Sequence, residues 1–166
     1  MQKKTKKKSR TKAIIAAAIL ILVADLIVFG FYSSRHLLSV SHYTIDRAEI
    51  DTPIRIVQLT DLHNSVFGEG NSRLIERVAA EEPDMILLTG DLLNQNEKRT
   101  DVTTDLIREL VKIAPVYASY GNHELRHEVN FGTDFHDLYA EAGAVVFDYD
   151  YIEVTVHGQD LRLGGL

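Results

Sequence analysis

Two rhythms of apolar and polar positions divide this chain. Residues 13–32, "AIIAAAILILVADLIVFGFY", are apolar throughout except for Asp25. A helix of that length rises about 30 Å, the thickness of a bilayer core, so the stretch predicts a transmembrane anchor. Beyond it, short apolar runs alternate with helical spacing. "IRIVQLT", "MILLT" and "PVYASY" read as buried strands, Leu74, Ile75, Val78 and Ala79 share one face of a helix over Asn71–Glu82, and Leu106, Ile107, Leu110 and Val111 mark a second helix. Pro83 closes the first of these helices. Strand, helix, strand, helix, strand is the pattern of a parallel sheet with crossovers, which makes the fold class α/β. Ahead of the first strand, "YTIDRAEI" and "PIRIVQL" flank Asp51-Thr52-Pro53 and predict a hairpin. Behind the third strand come a helix around "TDFHDLYAEAG", a strand in "AVVFDY", and two strands, "YIEVTV" and "LRLGGL", joined through His157 to Asp160. Because the sequence stops inside that last strand, it is expected to be the N-terminal part of a longer protein.

Charge sharpens the division. The formal net charge is −6, yet Lys3, Lys4, Lys6, Lys7, Lys8, Arg10 and Lys12 precede the apolar stretch, and setting those seven aside leaves −13 on the rest. The positive-inside rule then places residues 1–12 as a cytoplasmic tail, 13–32 as a single-pass signal anchor, 33–42 as a short linker and 43–166 as an extracytoplasmic domain at the cell membrane. Asp25 is read as a tolerated charge within a strong span. An acidic outer part lacks the Lys/Arg footprint that nucleic acid requires. There is no cysteine, so disulfides and thiolate metal sites are excluded, and any metal must be held by oxygen and nitrogen. No protein partner can be inferred.

The candidate chemistry lies just after the buried strands. The first is followed by Asp61-Leu62-His63, the second by Gly90-Asp91-Leu92-Leu93-Asn94, and the third by Gly121-Asn122-His123-Glu124. In a parallel sheet these strand ends share one edge, where open α/β sheets bind ligands. Singly each motif is ordinary turn chemistry. Together they bring Asp, His and Asn to one place: Asp61 and His63 can reach one cation, Asp91 can bridge two, and Asn122 offers a neutral oxygen. Such mixed ligation suits Mn, Fe, Zn or Ni. Gly90 and Gly121 fit turns where backbone must approach the site closely.

The series "DLH", "GDLLN", "GNHE" resembles the first blocks of the calcineurin-like metallophosphoesterases, in particular membrane-anchored bacterial members, over about residues 43–166. The resemblance implies the N-terminal half of a two-sheet sandwich flanked by helices and a centre of two divalent metal ions. It implies that Asp61 and His63 bind the first metal, that Asp91 bridges both, and that Asn122 binds the second. His123 is implied as the catalytic proton donor rather than a ligand, with Glu124 holding the turn. The reaction implied is hydrolysis of a phosphoester, whether phosphodiester, phosphomonoester or lipid-linked pyrophosphate, with an envelope- or lipid-linked substrate favoured by the short tether.

The remaining metal ligands of that family, a further histidine and a Gly-His-x-His block, are not present in this chain. His157 sits in "VHGQD" and reads as a solvated turn residue, while His36, His42, His127 and His136 read as surface or packing residues. Asn94 stands where the family commonly has Asp. The fragment itself is therefore expected to bind metal poorly and to turn over slowly or not at all. The alternative is a non-catalytic, membrane-displayed binding module with the same fold.

Overall fold

The protein is seen in a computed structural model that describes residues 2–147 and 150–165, with the side chains of residues 2–11, 13, 31 and 34–36 outside the description. The chain divides into two compact units, Met1–Ser39 and Val40–Leu166. The first contains α1 (Gln2–His36), which runs further at both ends than the expected anchor. Its described side chains from 14 to 30, Asp25 included, are all exposed. Among the described residues no helix is long and apolar enough to cross a membrane. The span expected at 13–32 is therefore not found among them, and its side chains at 13 and 31 lie outside the described residues.

In the second unit, β1 (Ile56–Leu59), β2 (Met85–Thr89), β3 (Val116–Ser119) and β4 (Val145–Val146) form one sheet in the order β1-β2-β3-β4. Every neighbouring pair is parallel, as the alternating pattern predicts. The crossovers carry α2 (Ser72–Ala80), entered through a short 3-10 turn at Glu69–Asn71, then α3 (Asp101–Leu110), and then α4 (Asn122–Phe131) followed by α5 (Phe135–Glu141). The core lies on β2 and β3. Met85, Ile86, Leu88, Val116 and Ala118 pack with Leu74 and Val78 of α2, Leu106, Ile107 and Leu110 of α3, and Phe135 and Tyr139 of α5, all buried. At about 2 kcal/mol for each large apolar side chain, that cluster is the main stabilising term. β1 is less buried than expected, because it is the edge strand, and Ile56 remains 45% exposed.

Two expectations fail here. Residues 43–50 form no strand, so the hairpin ahead of β1 is absent; β1 takes its ladder from β2 alone. The turn at 51–52 is used elsewhere: the backbone N–H groups of Asp51 and Thr52 donate to Oε1 of Gln159, and Nε2 of Gln159 donates back to the Thr52 carbonyl. The second failure is α4, which the apolar pattern does not mark. Its apolar residues Leu125, Val129 and Phe131 are exposed, and its buried positions are Glu124 and His127.

A second sheet is the hairpin of β5 (Tyr151–Val156) and β6 (Gln159–Gly164), antiparallel as expected. Its turn residues His157 and Gly158 both have positive φ, 50° and 76°, the signature of the two-residue turn whose twist suits a hairpin. His157 is more than a solvated turn residue, since its Nε2 lies 2.7 Å from Oδ1 of Asp84. The other oxygen of Asp84 accepts from the Arg55 backbone N–H at 2.7 Å. That backbone bond first, and His157 with it, hold the Asp84 carboxyl below its ordinary range. His42 likewise pairs with Glu81 at 2.8 Å, and its hydrogen bond is the main cause that lowers the Glu81 carboxyl.

Candidate metal centre

The loops that leave β1, β2 and β3 do not splay apart. Past the end of the sheet, the N–H groups of Asp61, His63 and Asn64 donate to the carbonyls of Gly90, Asp91 and Leu92 at 3.2, 3.0 and 2.9 Å. To make that second ladder the β1 loop winds through left-handed backbone, with φ of 56° at Asp61, 48° at His63 and 59° at Asn64, and Asp91 opposite it has φ 54°. Asp, Asn and His are the non-glycine types that enter this region most readily. Each such residue still costs on the order of 1 kcal/mol. Strain concentrated on three of the candidate site residues fits a place where the side chains, not the backbone, are being positioned.

Glycine lets the β2 and β3 loops touch. Gly90 has φ 89°, and a Cβ there would meet the carbonyl carbon of Tyr120 at 2.7 Å and collide with the backbone of Gly121. A Cβ on Gly121 would in turn collide with the Asp91 carboxylate and come within 2.5 Å of its backbone nitrogen. Both positions singled out as structural turns are therefore points of backbone contact beneath the site.

Glu124 holds this contact from behind. It is fully buried, and its carboxylate accepts from the N–H of Asp91 at 2.8 Å, of Gly121 at 2.9 Å and of Leu92 at 2.9 Å, and from the Tyr139 hydroxyl at 3.2 Å. Burial, and then the carboxylate beside it, push the Tyr139 phenol well above its ordinary value, so it stays the donor. The Gly121 bond also caps the first turn of α4. Glu124 thus does hold a turn, but across two loops and a helix.

On the solvent side of this clamp, His63, Asp91 and His123 each offer a ligand atom, all within 4.8 Å of one another. The rings of His63 and His123 are tilted by 51° with centroids 4.3 Å apart. Oδ1 of Asp91 accepts from the backbone N–H of His123 at 2.8 Å. Asp61 stands at the rim, its Oδ1 3.8 Å from Nε2 of His63 and its other oxygen accepting from the Thr60 hydroxyl at 3.1 Å. Asn122 is exposed at the first position of α4, next to His123. So the structure gathers His63 and Asp91 with His123, sets Asp61 beside His63 at the rim, and places Asn122 next to His123 at the start of α4. Imidazole and carboxylate without thiolate, converging on a few ångströms, fit a divalent cation.

The scan of known families decides what this arrangement belongs to: residues 54–165 match the calcineurin-like phosphoesterases. The chain belongs to that family. Two curated relatives are similar to it. An uncharacterized metallophosphoesterase of Aquifex aeolicus is 31% identical over 115 residues, covering 66% of this chain and 44% of that protein. An uncharacterized metallophosphoesterase of Campylobacter jejuni is 23% identical over 121 residues, covering 72% of this chain and 32% of that protein. The chain thus spans less than half the length of these calcineurin-like relatives.

Sequence reasoning missed the loop over residues 94–97. Both oxygens of Glu97 accept side-chain amides, from Asn64 at 3.1 Å and from Asn94 at 3.2 Å. An aspartate at position 94 would instead set a second carboxylate against that of Glu97. The signal that could have found it is polar: His123, Arg126, His127 and Asn130 recur at helical spacing, where only apolar recurrence is usually sought.

Proposed function

We propose that this chain provides part of the site of a metal-dependent phosphoester hydrolase with a two-metal centre, held by Asp61, His63, Asp91 and Asn122, in a two-sheet sandwich of which the described sheets are one part. The observation that carries the reading is the convergence of His63, Asp91 and His123 at the ends of successive parallel strands in a calcineurin-like phosphoesterase. Divalent cations, when bound, would polarise the phosphoryl oxygens and make a nucleophile of water near neutral pH. The clamp of Glu124 keeps Asp91 and the start of α4 in fixed relation. His123 accepts at Nδ1 from the Gln95 N–H, 3.3 Å away, and so carries its proton on Nε2. From there it can donate a hydrogen bond to the leaving oxygen and stabilise the charge that develops as the P–O bond breaks.

The test is hydrolysis of an aryl phosphodiester with added Mn²⁺ by the full-length protein. His123→Ala is expected to lower kcat by roughly 10²–10³, the ordinary range for one lost donor to a developing oxyanion, while Mn²⁺ binding persists. Undiminished turnover in that variant would remove His123 from the reaction. A second reading, a binding module without turnover, is favoured by the small donor set among the described residues, where the grouped His and Asp side chains are three. Absence of Mn²⁺-dependent turnover in the full-length protein would support it.

We also place α1 in the cell membrane, with the basic residues before it cytoplasmic, the phosphoesterase domain outside, and an envelope- or lipid-linked substrate within reach. The support is a helix apolar on every described face from 14 to 30 apart from Asp25, which water does not stabilise as an isolated element. The protein is expected to stay with cell membranes through an alkaline wash; release by that wash would contradict the placement.

A further inference from the structure

Asp25 is the one polar side chain of α1 between residues 14 and 30, and among the described residues it has no hydrogen-bond or ion-pair partner. The side chains one turn away in either direction, Ile21, Leu22, Val28 and Phe29, are apolar and exposed, and offer it no polar atom. In hydrocarbon a carboxyl group without a hydrogen-bond partner is costly, and such residues face other helices rather than lipid. The partner for Asp25 therefore has to come from outside this helix. Its surroundings on the helix suit that. At the 3.5-residue spacing of two helices that wind around each other, Asp25 shares one seam with Ala18, Ile21 and Val28, and Ala17 and Ala24 flank that seam. Small residues beside a seam let two helices approach closely in a membrane. Ile19 and Val23 lie on the far side.

We propose that α1 pairs in parallel with α1 of a second copy of this chain along the seam of Ala18, Ile21, Asp25 and Val28, with the two Asp25 carboxyl groups hydrogen-bonded to each other. The inference rests on the placement of α1 in the membrane. Two features favour a second copy over a foreign helix. A neutral carboxyl, the form that hydrocarbon tolerates, carries both an O–H donor and a C=O acceptor, so the group is complementary to itself. The basic residues ahead of the span also give every copy the same direction of insertion, so a two-fold axis along the bilayer normal sets Asp25 opposite Asp25 at one depth. The seven basic residues from Lys3 to Lys12 repel across the pair, but they precede the span, where water and salt weaken that repulsion. Paired in this way, the anchor carries two phosphoesterase domains.

The chain has no cysteine, so single cysteines report the seam without background. In membranes of cells that make the chain, Ile21→Cys and Val28→Cys are expected to form disulfide-linked dimers under mild oxidation. Ile19→Cys and Val23→Cys should give about a tenth as much or less, because a disulfide needs Cα atoms within about 7 Å of each other. Equal yields at all four positions would mean chance collision and overturn the seam, and a linked product of any mass other than twice that of the chain would overturn the second copy. Asp25 is tested in the Val28→Cys background. Asp25→Leu should lower the yield about tenfold, the order set by one interhelical hydrogen bond, whereas Asp25→Asn, whose amide also carries donor and acceptor, should keep it. Undiminished linkage in Asp25→Leu would remove Asp25 from the pair. An alkaline wash of the same membranes distinguishes two failures. Release of the chain means that the membrane placement has failed; retention without linkage in Ile21→Cys and Val28→Cys means that the pairing alone has failed.

Discussion

Glu124→Ala is expected to destabilise the fold by about 4 kcal/mol or more, and to disperse the site before the chain unfolds. The carboxylate accepts from three backbone N–H groups and one hydroxyl, all at 3.2 Å or less, in a position with no solvent exposure. Alanine leaves each of those donors facing a void. Hydrogen bonds to a charged group contribute about 1.5–3 kcal/mol apiece, and stranded buried donors cost about 1–3 kcal/mol. Even after neighbours relax, several such terms remain. Glu124→Gln should be intermediate, because its NH₂ must confront at least one N–H that the carboxylate accepts. Urea unfolding followed by circular dichroism measures both; a loss under about 1 kcal/mol for the alanine variant would mean that the clamp is not what holds the loops.

The same residue shows what could and could not be read in advance. The β1, β2 and β3 strands and the crossover helices α2 and α3 were legible because their apolar residues recur at the spacing that burial demands, and the strand-end motifs followed from the parallel pattern. His63 and Asp91 come together for that reason, with Asp61 beside His63. α4 was not legible, because its inward face is polar. It packs Glu124 under the loops after β2 and β3 and His127, Arg126 and Asn130 against a later stretch of the first of these, and turns Leu125 and Val129 outward. No apolar period can report such a helix. Likewise "YTIDRAEI" has the composition of a strand, but strand propensity is realised only where a neighbour offers a ladder, and β1 pairs with β2 alone. His123 sits among the ligand-capable atoms by spacing, yet its bond to Gln95 separates it chemically from His63, a distinction that only the loop's position reveals.

The second large effect is expected at Asp91. Asn in its place retains an oxygen to accept the His123 N–H, and tolerates the φ of 54° as well as Asp does, so the fold should persist. What disappears is the negative charge at the middle of the cluster. A divalent cation held by His63, Asp91 and their neighbours then loses the one carboxylate grouped with the two imidazoles among the described residues, and affinity should fall by at least ~100-fold, since even groups that merely support ligands contribute about 10–100-fold. Turnover of the full-length protein should fall with it. Because the charge and not the shape is removed, circular dichroism and the unfolding midpoint should stay close to those of the parent.

Mn²⁺ tests this most directly, because its paramagnetism broadens nearby NMR resonances even when binding is weak. Substoichiometric Mn²⁺ added to the isotope-labelled chain should first erase the signals of residues 61–63, 90–91 and 121–123, and the same addition to Asp91→Asn should leave them sharp. Broadening spread over the acidic surface, or centred elsewhere, or undiminished in Asp91→Asn, would contradict the assignment of a metal centre to these strand ends.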